Sequence, residues 1–83
     1  MTARTEAELR QALRAWVRAH SPVPVGDGFS DDTPLIASGH LTSLQVTDLL
    51  LFVEELRQSP LDPASLRPGA FRDVDAIYAT FLS

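Results

Sequence analysis

Cysteine and lysine are both missing from this sequence. Without cysteine, disulfides, thiolate zinc sites and cysteine nucleophiles are excluded. Without lysine, every basic side chain is an arginine, a bias from which no function follows. Long hydrophobic runs are missing too. The longest, Leu49 to Val53, falls far short of the roughly 20 residues that a membrane-crossing helix needs. The N-terminus lacks the apolar block of a secretory signal, so the expectation is a soluble, cytoplasmic protein with no membrane role. Positive charge is scarce outside the first 20 residues, which hold four Arg and two Glu. Residues 21–83 hold three Arg against nine Asp or Glu. An acidic body of this kind repels a phosphate backbone, which argues against nucleic-acid binding and favours docking onto basic partners.

What is present is enough for one small domain spanning residues 1–83. A chain of this length buries only about 60–65% of its unfolded surface, so its core must be simple and well filled. Hydrophobic residues make up 45% of the sequence and are spread along its whole length. No internal repeat, low-complexity tract or linker divides it, and a monomer is expected.

The first helix is the clearest element. Thr5-Glu6-Ala7-Glu8 reads as a capping box, with Thr5 as N-cap and Glu8 three residues on. Leu9, Ala12, Leu13, Trp16, Val17 and His20 then follow helical spacing and predict one buried stripe. Arg10, Arg14 and Arg18 line another face, expected to be solvated, with Glu6 able to pair with Arg10. Ser21-Pro22-Val23-Pro24 ends the helix. Residues 21–42, with three Pro and three Gly, form a long connection, a length that is usually functional in so small a domain. Its Val25, Phe29, Leu35, Ile36 and Leu41 are expected to pack over the core, with a short helical turn at Asp31-Asp32-Thr33-Pro34. The second helix is predicted over residues 43–57. A short third helix is predicted from Asp62, its N-cap, to about Arg67, with Pro63 in the first helical position. The last starts near Asp73, with Val74, Ile77, Tyr78 and Phe81 as its stripe and Phe71 plugging the core before it. The fold class is therefore all-α, a small four-helix bundle with a long first loop.

The second helix has two stripes where a small bundle needs one. Val46, Leu49, Leu50, Val53 and Leu56, flanked by Phe52, suit the core. Leu44, Thr47, Asp48, Leu51, Glu54 and Glu55 recur on the opposite side, placing two leucines among carboxylates. Isolated surface leucines need no explanation, but apolar anchors ringed by carboxylates also make a docking face. Ser43 stands at the head of this helix. A serine there is by default an N-cap. A phosphodiester on its hydroxyl would lie near free backbone N–H groups and the positive end of the helix dipole, open to a modifying enzyme.

Four blocks, in order, resemble the acyl carrier protein family: Asp32-Thr33-Pro34-Leu35-Ile36, Ser38-Gly39-His40-Leu41-Thr42-Ser43-Leu44, Phe52-Val53-Glu54-Glu55 and Phe71-Arg72-Asp73-Val74-Asp75-Ala76-Ile77. The family pattern runs from an acidic-Thr-Pro-Leu lead-in through Gly, two apolar residues and Asp-Ser-Leu to a helix ending in paired acids. A Phe and a final amphipathic helix follow. The likeness spans roughly residues 5–82. It implies a discrete carrier protein, not an enzyme, with 4′-phosphopantetheine attached covalently to Ser43. The arm would hold an acyl or aminoacyl group as a thioester. The implied partners are a phosphopantetheinyl transferase, an acyl- or aminoacyl-activating ligase or acyltransferase, and downstream biosynthetic enzymes. Thr42, Leu44, Thr47, Asp48, Leu51, Glu54 and Glu55 fall in or beside the region where the family docks these partners.

The sequence departs from the pattern in three places. Thr42 occupies the position of the Asp that precedes the modified serine, a Thr-Ser pairing similar to that of small aminoacyl carriers served by stand-alone amino-acid ligases. His40 occupies an apolar slot, and Leu56-Arg57-Gln58-Ser59-Pro60-Leu61 replaces a Phe-Gly-Ile segment. The competing reading is a small acidic helical interaction or regulatory domain with no prosthetic group. A Ser43–His40–Asp48 hydrolase is disfavoured because nothing points to an oxyanion hole or pocket. His20 and His40 lack metal-ligand spacing, and the second helix lacks the side chains of a DNA reader.

Overall fold

The computed structural model describes residues 4–61 and 69–83. Helix α1 spans Glu6–His20 and opens on the expected capping box. Glu8 N–H donates to Thr5 Oγ1 at 3.2 Å, and Thr5 N–H donates to Glu8 Oε1 at 2.9 Å. The bond from Thr5 N–H favours an ionised Glu8, whose pKa is held below its ordinary value by the Thr5 backbone and hydroxyl. The helix stops where Ser21 turns extended ahead of Pro22. Leu9, Leu13, Trp16 and Val17 are buried. His20, expected to continue the stripe, is exposed instead. It stacks on Trp16 with ring centroids 4.0 Å apart, and its Nδ1–H donates to Trp16 O at 2.8 Å. At the last turn the stripe has run past the core, and the ring lies back over the tryptophan.

The connection that follows forms one wall of the core. Leu35 and Leu41 are completely buried and Phe29 packs against them at the edge. Ile36, expected inside, is 53% exposed. Helical turns start where expected, at residues 31–34: Ser30 O accepts from Thr33 N–H at 3.1 Å, and Pro34 O accepts from Ser38 N–H at 3.1 Å. Gly39 leaves this turn at φ +85°, a left-handed conformation that a residue with a Cβ adopts only with strain. Two backbone bonds sew the connection to the final helix: Leu35 N–H to Arg72 O at 2.7 Å and Asp75 N–H to Asp31 O at 2.9 Å.

Helix α2 spans Gln45–Arg57 and ends on Gln58, whose φ of 57° is left-handed. The inward stripe is as expected: Leu49 and Val53 are buried, and Val46, Leu50, Phe52 and Leu56 pack around them. The third helix expected over residues 62–67 lies outside the described residues. Helix α3 spans Val74–Ile77 and runs on into a wider π turn, Tyr78–Leu82, closed by Ser83 N–H to Tyr78 O. Buried Asp73 caps α3 by accepting from Ala76 N–H at 2.7 Å. Val74, Ile77 and Phe81 enter the core, and half-buried Phe71 rests 5.3 Å from Phe81. The helix and its terminal turn pack on α1, and the turn also packs on α2. Among the described residues the fold is all-α with three helices and no strand. Its 12.1 Å radius of gyration matches the roughly 12 Å of a compact chain of this length.

Arg10 and Arg14 of the arginine row are not on a solvated face, whereas Arg18 is exposed. Arg10 bonds Glu6, Asp31 and Asp75, and its guanidinium lies 4.8 Å from the centroid of the half-buried Tyr78 ring. Arg14 bonds the other oxygen of Asp31 at 2.7 Å. Arg18 lies over Phe29 at 5.4 Å. Burial raises the Asp31 pKa, but the hydrogen bonds from Arg14 and Arg10 outweigh it and hold the carboxyl below its ordinary range. The row thus clasps the connection and α3 against α1.

Candidate functional site

The start of α2 departs from the expectation that Ser43 begins the regular helix or caps it. Thr42 takes the capping role. Gln45 N–H donates to Thr42 Oγ1 at 3.2 Å, and Thr42 N–H donates to Gln45 Oε1 at 2.9 Å. This is the reciprocal pairing of a capping box, with Gln in place of Glu. Ser43 and Leu44 are the two residues enclosed by it, and Leu44 already has helical backbone angles. The pattern Thr-x-x-Gln was present in the sequence and is the signal that locates the true cap.

The consequence for Ser43 is direct. Its side chain is exposed, and its hydroxyl bonds to no described residue. Leu44 beside it is 87% exposed. Gln45 reaches further than the box: its Nε2 donates to His20 O, the last carbonyl of α1, at 2.6 Å. That carbonyl is one of the terminal acceptors a helix leaves without an internal partner. The loop–helix junction carrying Ser43 is thereby tied to the end of α1.

His40 does not join Ser43 in a catalytic arrangement. Ser21 Oγ donates to Val23 O at 2.6 Å, so its 3.1 Å contact to His40 is a bond donated by His40 Nδ1. The ring meets Phe29 edge-on at 5.6 Å. No cluster of metal-binding side chains occurs among the described residues.

The outward face of α2 is laid out much as the second stripe predicts. Thr42, Thr47, Asp48 and Glu55 are exposed, and Leu51 is 56% exposed. Glu54 differs: it is half-buried and accepts from Leu61 N–H at 2.8 Å, holding the segment that leaves the helix. Leu51, Glu54 and Glu55 border a shallow depression with Gln58, Ser59 and Pro60. A second, more apolar groove runs between Pro34, Ile36, Val46 and Phe71. Residue order does not reveal it, because it joins three separate segments. No helix among the described residues is long and apolar enough to cross a membrane.

No protein-family model matches this chain, and no curated protein is significantly similar to it.

Proposed function

We propose that this chain is a discrete carrier protein whose Ser43 takes a covalent 4′-phosphopantetheine arm. The observation that carries the reading is the exposed Ser43 hydroxyl, bonded to no described residue and freed from capping by Thr42 and Gln45. The site suits such a group. An anion on Ser43 meets the positive end of the α2 dipole without a dedicated basic pocket. When attached, the arm supplies a terminal thiol for an acyl or aminoacyl thioester.

Attachment from coenzyme A needs little from the carrier. Ser43 Oγ forms a bond to the pantetheine-bearing phosphorus as the pyrophosphate P–O bond breaks. The hydroxyl proton passes to a base on the transferase, and adenosine 3′,5′-bisphosphate leaves. The carrier's task is to hold the hydroxyl in reach and to offer the transferase a surface. Leu44 and Leu51 are apolar anchors for that surface and for the loading ligase or acyltransferase. Asp48, Glu54 and Glu55 supply charge that steers basic partners, with Thr42 and Thr47 at its polar margin. Glu54 contributes from a side chain already engaged with Leu61.

The same exposed leucines also suit an interaction domain with no arm. One experiment separates the two. Wild type and Ser43→Ala are incubated with coenzyme A and a broad-specificity phosphopantetheinyl transferase, and intact masses are measured. The carrier reading expects one phosphopantetheine on wild type and none on Ser43→Ala. An unmodified wild type, or a modified Ser43→Ala, rejects it.

A further inference from the structure

We infer that Gln45 is a positioning residue for Ser43, holding the serine's turn against α1 so that a transferase meets it already formed. The inference rests on the carrier reading for its function and on geometry alone for its mechanism. Two groups fix the Gln45 side chain. Its Oε1 accepts from Thr42 N–H at 2.9 Å, its Nε2 donates to His20 O at 2.6 Å, and the two contacts define the amide orientation. Flipping the amide would set NH2 against an N–H and an oxygen against a carbonyl, so only one orientation satisfies both. Its backbone N–H returns to Thr42 Oγ1.

Ser43 and Leu44 therefore sit between a cap at one end and a tether to another helix at the other. Neither makes a side-chain bond to a described residue. Without the amide, the turn loses its tether to His20 and keeps the Gln45 backbone bonds to Thr42. A binding-competent conformation that is only fractionally populated lowers apparent affinity by that fraction. Loss of Gln45 should thus raise KM for the carrier and spare kcat, because the chemistry occurs only once the turn is seated.

Two variants separate the parts of the clamp. Gln45→Ala removes both side-chain bonds. Gln45→Glu keeps the acceptor for Thr42 N–H but faces a carboxylate toward the His20 carbonyl, so it severs the tether alone. Each purified variant is assayed with the broad-specificity transferase and coenzyme A. Amide hydrogen exchange at position 45, whose N–H is bonded to Thr42, is measured by NMR on the same samples and compared with the intrinsic rate, with helicity checked by circular dichroism. The expected result is a KM raised about ten-fold in Gln45→Ala, the effect of losing hydrogen bonds of ordinary strength, with kcat near wild type. Gln45→Glu should show the same direction of change, and both variants should exchange faster at position 45. Unchanged KM and exchange in folded Gln45→Glu would overturn the inference, as would a fall in kcat with KM intact. If Gln45→Ala does not fold, Gln45→Glu decides. If wild type is not modified at all, the carrier reading fails, and the exchange rates still decide whether Gln45 holds the turn.

Discussion

Helix α1 begins on a Thr–Glu box closed entirely between Thr5 and Glu8, whereas α2 begins on a Thr–Gln box whose glutamine also bonds the far end of α1. The contrast extends along both helices. The basic row of α1 is spent inside the molecule, on Asp31, Asp75 and the Tyr78 ring. Among the described residues the outer row of α2 is largely unspent, with Glu54 bonded to the segment that follows. One helix organises the fold, while the other both builds the core and faces outward. A charge pattern by itself does not tell the two uses apart.

The sharpest break of the comparison lies within α2. Leu49→Ala removes a fully buried side chain and should cost about 2–5 kcal/mol. Leu51→Ala, on the opposite side, should stay within about 0.5 kcal/mol. Urea denaturation of the two variants measures both, and a Leu51→Ala domain that unfolds would disprove the outward assignment.

The next effect tests the clasp of α1. Asp31→Asn removes the charge that Arg10 and Arg14 share and should cost about 1–2 kcal/mol. Because the folded pKa of Asp31 lies below its ordinary value, its contribution is complete above the unfolded pKa of about 4. The contribution fades as pH falls through the lower folded value. The gap in stability between wild type and Asp31→Asn should therefore be widest near neutrality and close below about pH 4, as read from melts across that range.

The smallest effect sharpens the comparison of the two boxes. Thr5→Ala and Thr42→Ala should each cost about 1 kcal/mol. Only Thr42→Ala should also slow modification of Ser43 by a transferase. Equal modification of the two variants would mean that the second box is as purely local as the first.

Much of this was legible from residue order because it depends on local spacing. The Thr5–Glu8 box, the α1 stripe through Val17 and the inward stripe of α2 follow from periods of three and four. The Asp73 cap follows from one residue type before an apolar run. The misreadings have a common cause. The arginine row looked solvated because its partners lie 21 and 65 residues from Arg10, beyond any local pattern. His20 and Ile36 looked buried because hydrophobic spacing does not show where the core ends. The default for Ser43, an N-cap, gives way to Thr42 because Thr-x-x-Gln is written around the serine. The tether from Gln45 to His20 could not be read from spacing at all.

The clasped connection has a consequence for how quickly the domain forms. Helical bundles with short links fold fast because their contacts are near in sequence. Here Leu35 must find Arg72, and Arg10 must find Asp75, 65 residues away. Closing those loops costs chain entropy before burial of Leu35 and Leu41 returns any of it. Seating this loop is therefore expected to slow folding below the rate of a bundle with short links.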